Sequence, residues 1–480
     1  MQRQSGFVVG ATCRAAVLLL LLSGMAGCRA PKPGPPPRPA PRWPGVSLTV
    51  QCPSGAARRL LETYGRAWAY DVGAKLAITD EPGTAPPSVV VLPPVALAAH
   101  AAGDRADPLA DASETAAFLP LYRVRLLHWD TRTFALPLIG DGVLCVYRED
   151  LYGDGELRSA YRSKHGVDLA PPATWDEFAR QTAFFADRRG KPSLAPLPRD
   201  DAGLDREYFC IAAPLAVRAA TGSLRTRGQD DPSRAAFFSF QYDAVTGEPR
   251  IAGPGFVEAL RLMQQLTPWR SKKPDAVAAL REDDAVLGIV TLPDLAALRG
   301  SNYRWGVTRV PGSRRVYDGG AVDSGPINFV PYVGSTGMLG VVPRGAPHPD
   351  AAFALLLYLC GDTVSQEVVH DPQYGSGPFR EAHLTKQSAG WFNYGLDEAN
   401  TARLREVLRE IADPRLDNPG LALRTPDQKS HRAALLAAIR RAIADHSDPA
   451  AALAEVDRQW RELDGDPAKA RSLFRKSLGL

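Results

Sequence analysis

The sequence contains few residues suited to metal or redox chemistry. It has six cysteines and eight histidines in 480 residues, and the histidines stand singly. The cysteines beyond residue 50 are too far apart for a zinc or thiol–disulfide motif. Three of these four lie inside apolar runs, which favours buried free thiols, although an exported chain would also permit disulfides. We therefore predict no metal site and no cofactor. The four are Cys52, Cys145, Cys210 and Cys360.

Enzyme motifs and charged runs are also missing. The chain has no Gly-x-Ser-x-Gly elbow, no Gly-Lys-Ser/Thr phosphate loop and no His-Glu-x-x-His pair, so no catalytic residue is predicted. The adjacent carboxylates Asp283 and Asp284 are predicted to lie on a solvated helix, pointing to different sides. The 57 basic and 53 acidic residues are scattered, which leaves no stripe for nucleic acid.

Residues 1–27 have the pattern of a secretory signal. Arg3 and Arg14 flank a polar start, and the apolar stretch 15–22 that follows is too short to span a bilayer as a stable helix. The stretch 25–28, Met-Ala-Gly-Cys, resembles the lipobox of bacterial lipoproteins, with Met where Leu is usual. This resemblance implies cleavage before Cys28 and its lipidation, including a palmitate chain. A plain secretory signal or an uncleaved anchor are the alternatives.

Residues 28–45 combine the expected lipidated cysteine with a dense run of prolines. Prolines cannot donate ladder or helix hydrogen bonds and favour an extended polyproline conformation. The segment is therefore predicted to be a semi-rigid tether between the anchor and the folded chain.

From residue 46 onwards the pattern is that of an α/β protein. The stretches 46–52 and 88–94 have the alternating or continuous apolar pattern of strands, and 55–73 has helical spacing between them. Farther along, Thr174 and Glu177 are predicted to form a capping box at the start of a helix. The last hundred residues are predicted to be helical. Two α/β lobes accommodate these elements better than one.

Several stretches occur in an order that resembles the extracellular solute-binding proteins of family 1, the maltose-binding-protein-like receptors of ABC importers. Individually these stretches are common patterns, but together they cover most of residues 46–465. They are "LPLIGDGVLCVYREDLY" (136–152), "PPATWDEFARQTAFF" (171–185), "EDDAVLGIVTLPDLAALR" (282–299), "VPYVGSTGMLGVVPRGAPHPDAAFALLLYL" (330–359) and "YGSGPFREAHL" (374–384).

The resemblance implies a two-lobed periplasmic-binding-protein-like fold of type II. Each lobe is expected to hold a mixed sheet flanked by helices, with the ligand cleft between the lobes. Lobe 1 would comprise 46–140 and 334–372, and lobe 2 would comprise 141–333 and 373–480. The two segments that cross between them are expected near residues 140–142 and 334–336.

The resemblance also implies a function. It predicts an exported, membrane-anchored lipoprotein, facing the periplasm or the cell exterior, that binds a sugar or oligosaccharide by hinge closure and passes it to an ABC permease. The expected partners are the carbohydrate, the permease and the lipid bilayer, with a monomeric chain. The alternatives are a surface-anchored sensor or hydrolase on a similar scaffold, or a receptor for a non-sugar cargo.

Candidate ligand contacts follow from the chemistry of sugars, which need aromatic faces and groups that bond several hydroxyls. Asp141 lies at the first crossing, where the family commonly has an acidic contact; the alternative is a turn aspartate that caps its own backbone. Ser335 and Thr336 at the return crossing are expected to direct hydroxyls into the cleft, or to serve a hinge by their small size. Trp391 and Tyr394 are expected to stack on a ring or, alternatively, to pack in the core.

Two further candidates are supported by position alone. Asp294 lies where the resemblance predicts a loop on the ligand side, although the tryptophan frequent there in the family is missing. Trp129 precedes the first crossing, at a place that the family often uses for packing.

Overall fold

The computed structural model describes residues 42–81, 83, 85–109, 113–221, 236–318, 321–385 and 389–480. The predicted signal segment, the lipidation site Cys28 and nearly all of the tether lie outside these residues. From Trp43 onwards the chain packs as one unit. Within the described ranges no single helix is long and apolar enough to cross a membrane; one bent pair of helices, Pro349–Leu359 with Asp362–His370, meets those two criteria jointly.

The first sheet has five strands in the order β2-β1-β3-β13-β6. Strand β1 is parallel to β2 and β3, whereas β13 is antiparallel to both of its neighbours. The alternation in β1 directs Leu48 and Val50 into the core, as the sequence predicts. Strand β13 begins almost 200 residues after the end of its sheet neighbour β6. The strands are β1 (Ser47–Gln51), β2 (Lys75–Thr79), β3 (Val89–Leu92), β6 (Leu136–Ile139) and β13 (Met338–Val341).

Helices cover this first sheet. The helix predicted within 55–73 forms over 56–72, but as two α-helices joined by a π turn at Leu61–Gly65, and it ends at Gly73 in the left-handed conformation. The α-helices here are α1 (Ala56–Leu60), α2 (Arg66–Val72), α3 (Leu97–Ala101), α11 (Pro349–Leu359) and α12 (Asp362–His370). A second π turn spans Leu121–Leu126, and short 3-10 turns span Pro94–Ala96, Ser113–Ala117, Glu381–Leu384 and Ala389–Tyr394.

The second sheet has three strands in the order β8-β7-β9, with both neighbours antiparallel to β7. Its strands are β7 (Val143–Arg148), β8 (Leu287–Thr291) and β9 (Trp305–Thr308). The helices around it are α4 (Glu149–Gly153), α5 (Gly155–His165), α6 (Trp175–Arg189), α7 (Asp201–Ala216), α8 (Pro254–Leu266), α9 (Ala276–Arg281) and α10 (Leu292–Ala297). The α/β architecture with two main sheets agrees with the predicted fold class, but the second sheet is purely antiparallel and not mixed as expected.

The start of α6 confirms the predicted N-cap. The Thr174 hydroxyl accepts a hydrogen bond of 3.2 Å from the N–H of Glu177. The Glu177 carboxylate reaches back one residue farther than in a standard capping box, to the N–H of Ala173 at 2.8 Å. Two backbone donors at the helix start are thus satisfied.

Helix α7 lies deep in the molecule. Thirteen of its sixteen residues are buried, and it packs along α8. Its residues fall outside the five stretches that carry the family resemblance. Because nearly its whole circumference is covered, any polar side chain on it must find a partner within the protein.

The carboxyl-terminal part is helical, as predicted. Its helices are α13 (Glu398–Ile411), α14 (Gln428–Asp445), α15 (Pro449–Asp464) and α16 (Pro467–Ser477). Helices α14 and α15 pack on each other and on α8. The remaining strands form three pairs: β4 (His128–Trp129) with β5 (Arg132–Thr133), β10 (Ser313–Asp318) with β11 (Ala321–Asn328), and β12 (Tyr332–Val333) with β14 (Gly420–Leu421).

The buried side chain of Arg424 ties the carboxyl-terminal helix to the first half of the chain. Its guanidinium donates to the carbonyls of Leu126 at 3.0 Å and Arg125 at 3.1 Å, and to the carbonyl of Ser477. The carbonyls at helix ends carry partial negative charge, which suits a cation. Burial and the nearby Arg125 lower the pKa of Arg424 to about 9, so the group is charged at neutral pH.

The structure tests two of the sequence predictions, one about the cysteines and one about Asp283. Cys52, Cys145, Cys210 and Cys360 are buried free thiols, as expected. Asp283 does not lie on a solvated helix face. It follows the end of α9 with a φ of 60°, and its carboxylate binds Arg148, Arg189 and Lys191. Three cations around one carboxylate hold the pKa of Asp283 below its usual value.

Candidate ligand cleft

Three chain segments lie side by side near the point where the chain passes from the first sheet to the second. Gly140–Gly142 connects β6 to β7, Gly334–Gly337 connects β12 to β13, and Ser376–Gly377 lies against the first of these. The N–H of Gly377 donates to the Gly140 carbonyl at 3.0 Å, and the N–H of Gly140 donates to the Ser376 hydroxyl at 2.8 Å. The crossings therefore form one hydrogen-bonded layer.

Glycine is required where the first and third crossings touch. A Cβ atom on Gly377 would lie 1.7 Å from the carbonyl oxygen of Asp141, and one on Gly140 would lie 2.0 Å from the carbonyl oxygen of Gly377. Both neighbours are backbone, which cannot move aside as a flexible side chain can. The two crossings approach this closely only because neither residue carries a side chain.

We expect Gly377→Ala to lower the free energy of unfolding by about 3 kcal/mol, because the added methyl group must push two backbone segments apart. Urea unfolding followed by circular dichroism measures this loss. Gly155→Ala is the matched control, since a Cβ atom added there would meet no other atom within 4 Å, and it should be neutral or slightly stabilising. Equal effects of the two variants would contradict the close-contact argument.

Asp141 joins the first crossing to the return crossing. Its carboxylate accepts hydrogen bonds from the N–H groups of Gly334, Ser335 (3.3 Å) and Thr336 (3.1 Å), and from the Thr336 hydroxyl. Its own N–H donates to the Tyr122 hydroxyl at 2.7 Å. A carboxylate has about four lone-pair positions, and the return crossing uses all of them. The predicted ligand contact through Asp141 stays a prediction.

A second polar group lies beside the return crossing, on α7. The hydroxyl of Tyr332 donates to the Asp205 carboxylate at 2.9 Å, and the Arg432 Nε lies 3.5 Å from the other carboxylate oxygen. Burial raises the pKa of Asp205 to about 6. The Phe209 ring stacks on Tyr332, with 5.2 Å between centroids. This arrangement combines aromatic rings with a carboxylate and a guanidinium, the groups that hold sugars.

Two small cavities flank the Tyr332 ring. One is lined by Asp205, Phe209 and Arg432 together with Val95, which follows β3 of the first sheet; the other reaches Asp141 at the first crossing. Each has a volume of about 10 Å³, which suffices for roughly one water molecule. A sugar can therefore enter next to Tyr332 only if the two sides of the cleft separate.

Two hydroxyl groups near this point have no protein partner among the described residues. They are Ser335 Oγ at the return crossing and Thr425 Oγ1, which follows Arg424. Buried hydroxyls are normally hydrogen-bonded. Ser335 was predicted from the sequence as a ligand contact, and its hydroxyl is available to a ligand, whereas the Thr336 hydroxyl is bonded to Asp141.

The other predicted site residues lie elsewhere. Trp391 and Tyr394 are buried and stacked on each other, and Trp391 donates to the His383 carbonyl at 3.2 Å. Asp294 caps α10 by accepting from the N–H and the hydroxyl of Thr291. Trp129 is buried in the β4–β5 hairpin. The structure thus brings Asp141, Ser335 and Thr336 together at the crossings, and it places these four residues outside that group.

Sequence reasoning missed Asp205, Tyr332 and Arg432. The three residues are more than 90 residues apart in the chain and meet only through tertiary packing. One local signal existed: Asp205 and the two charged residues after it stand at the start of the otherwise apolar stretch "LDREYFCIAAPLA" (204–216) of α7, and an acidic side chain on a buried helix needs a partner.

The pair Ser365 and His383 shows a contact that a hydrolase would use, with 3.0 Å between hydroxyl and Nε2. However, Nδ1 of His383 accepts from the N–H groups of Phe379 (3.2 Å) and Arg380 (3.4 Å). The ring proton therefore sits on Nε2, which donates to Ser365 and cannot act as its base. Both side chains are fully buried. Within the described residues, no cluster of three or more metal-ligating side chains occurs.

Comparison with known proteins gives a family and a fold. Residues 67–391 match the family described as "Bacterial extracellular solute-binding protein". Among solved structures, 564 chains match, including one titled "Maltose bound T. maritima MalE3", with a TM-score of 0.63 and 16% identity over 87% of this chain and 100% of that one. No curated protein matches by sequence.

Proposed function

Because this chain belongs to the bacterial extracellular solute-binding proteins, we propose that it binds a carbohydrate in the cleft between its two lobes and delivers it to an ABC permease. The fold is the two-lobed one of maltose-binding-protein-like receptors. The family consists of binding proteins rather than enzymes, and the receptor does no chemistry on its cargo. Ligand binding would stabilise the closed arrangement of the lobes.

The observation that carries the sugar proposal is the group Asp205, Tyr332 and Arg432 beside the return crossing. Its aromatic rings can cover the apolar face of a sugar, and its charged groups can bond hydroxyls. The unpartnered hydroxyls of Ser335 and Thr425 offer two more contacts. The small volume beside Tyr332 supports binding by separation and closure of the two sides.

The proposal is tested by calorimetric titration of maltose, D-glucose and D-galactose against the full-length chain and Asp205→Asn. Asparagine keeps the shape and can still accept from Tyr332, but it loses the charge that faces Arg432. We expect at least a tenfold loss of affinity for the sugar that binds. The control is Asp187→Asn, which changes an exposed carboxylate that pairs with Lys164. It should leave the affinity for the sugar unchanged.

A turnover assay on any bound sugar separates a receptor from a hydrolase. Binding without product supports the receptor, and release of a cleaved product would overturn it. If Asp205→Asn and the control bind equally well, the ligand does not use this group. If none of the three sugars binds, the carbohydrate part of the proposal fails.

The lipid anchor is the second part of the proposal. Its support is the pattern of residues 15–28 and the proline-rich tether that follows. We expect the wild-type chain in the membrane fraction with lipid on Cys28, acting as a monomer outside the cytoplasm. Cys28→Ser should release it into the soluble fraction or leave it unprocessed. A Cys28→Ser chain that is processed and membrane-bound as before would contradict lipid anchoring.

A further inference from the structure

A cavity of about 230 Å³ lies between the end of α10 and the start of α4. Its walls are Leu295 on α10, residues of the segments 298–305 and 394–397, and Glu149 at the start of α4, directly after β7. Strand β7 begins next to the first crossing and runs six residues, so Glu149 lies roughly 20 Å from the crossings. The cavity shares no lining residue with the two cavities that flank Tyr332.

Two buried polar atoms of the cavity walls have no hydrogen-bond partner among the described residues: the Tyr394 hydroxyl and Glu149 Oε2. Tyr394 is only 1% exposed. The other oxygen of Glu149 accepts from the Asn400 side chain at 3.0 Å, which fixes the carboxylate in place. A buried polar atom without a hydrogen-bond partner is energetically unfavourable, so a bound molecule that bonds both atoms would remove this cost.

The remaining wall residues indicate which kind of molecule fits. The acidic groups Glu149 and Asp397 are balanced by Arg299 and Arg304, so the lining has no net charge. Tyr303 adds an aromatic ring to the wall; the Arg148 guanidinium lies 3.6 Å from its centroid and the Trp305 ring 6.4 Å from it. A ligand that both donates and accepts hydrogen bonds and has an apolar ring face suits this surface.

We propose that this cavity is a second ligand site, and that it binds one neutral cyclic polyol of monosaccharide size. Its volume is below the roughly 300 Å³ at which sites for larger drug-sized ligands begin. The Tyr394 hydroxyl and Glu149 Oε2 bond two ring hydroxyls, and Tyr303 covers the ring face. This site does not depend on the function proposed for the cleft.

The test uses hydrogen exchange of the full-length chain with and without D-glucose, D-galactose or D-mannose. We expect one of these sugars to slow exchange in 298–305 and 394–397. Tyr394→Phe removes a hydroxyl that has no protein partner among the described residues, and Glu149→Gln keeps the acceptor for Asn400 while replacing Oε2 by a donor. Each variant should remove the protection or weaken binding by about tenfold. Asp205→Asn in the cleft should leave the protection of 298–305 and 394–397 intact.

Tyr242→Phe is the matched control. Its hydroxyl donates to Asp464 at 2.8 Å, outside this cavity, so this variant should lose stability but keep the protection. Protection that persists in both Tyr394→Phe and Glu149→Gln would overturn the proposal. A cavity occupied by water only, with none of the three sugars protecting these segments, would overturn it as well, whether or not a sugar binds in the cleft.

Discussion

Asp141→Ala should lower the free energy of unfolding by about 4 kcal/mol, because it leaves three backbone N–H groups and one hydroxyl of the return crossing without their acceptor. Asp141 is 5% exposed, so water can replace only part of what is lost. Urea unfolding of the full-length chain measures the difference. The free energy of unfolding of Asp141→Asn should lie between those of the wild type and Asp141→Ala, since one of its side-chain atoms remains an acceptor.

The matched control for this prediction is Asp154→Ala. Asp154 is an exposed aspartate that also accepts from a backbone N–H, that of Leu157 at 2.8 Å, as the N-cap of α5. Loss of such a cap costs about 1 kcal/mol. If Asp141→Ala costs no more than Asp154→Ala, the carboxylate does not hold the crossings together.

The same variants separate two roles for Asp141. The sequence predicts a ligand contact at this position, whereas the structure engages every lone pair of the carboxylate within the hinge. A hinge role predicts that Asp141→Asn loses stability in the absence of ligand. A ligand contact predicts an additional loss of affinity for the bound sugar, beyond that caused by partial unfolding.

Local patterns in the sequence were sufficient to predict most of the framework. The alternation in 46–52 gave a strand with Leu48 and Val50 inside, and the Thr174 cap started a helix at the next residue. Both depend on neighbours within a few residues. Asp141 is flanked by Gly140 and Gly142, and glycine in such a position is typical of the close backbone approach that the structure shows between Gly140 and Gly377.

The polar group beside Tyr332 could not be predicted in the same way. Asp205, Tyr332 and Arg432 come from a helix, a two-residue strand and another helix, and only the packing of these elements brings them together. Aromatic residues were equally ambiguous. A buried core residue and a ligand platform have the same composition, and Trp391 and Tyr394 turned out to be stacked and buried.

Acidification should destabilise the protein through His383. Burial, with His370 and Arg380 nearby, lowers the pKa of His383 to about 3, from 6.5 in an exposed histidine. Between these values the unfolded chain binds a proton that the folded chain does not, so stability falls as the pH falls. The contribution of this residue is about 2 kcal/mol on going from pH 7.5 to 5, and about 4 kcal/mol at pH 3.5.

His383→Asn provides the measurement, because the amide oxygen can take the place of Nδ1 as acceptor for Phe379 and Arg380 but does not titrate. At pH 7.5 the variant should be less stable than wild type, since it loses the bond to Ser365 and part of the ring volume. Its stability should decline less towards pH 5, so that the gap between the two proteins narrows by about 2 kcal/mol.

The measurement uses the stability difference between wild type and His383→Asn because protonation of Asp205 changes the stability in the opposite direction. Burial raises its pKa from 3.8 to about 6, so the folded chain gains a proton before the unfolded chain does, and acidification through this window stabilises the fold. This contribution is common to wild type and His383→Asn, and it cancels in the difference. A gap that stays constant from pH 7.5 to 5 would mean that His383 is protonated in the folded protein, and the tautomer assigned to it beside Ser365 would then be wrong.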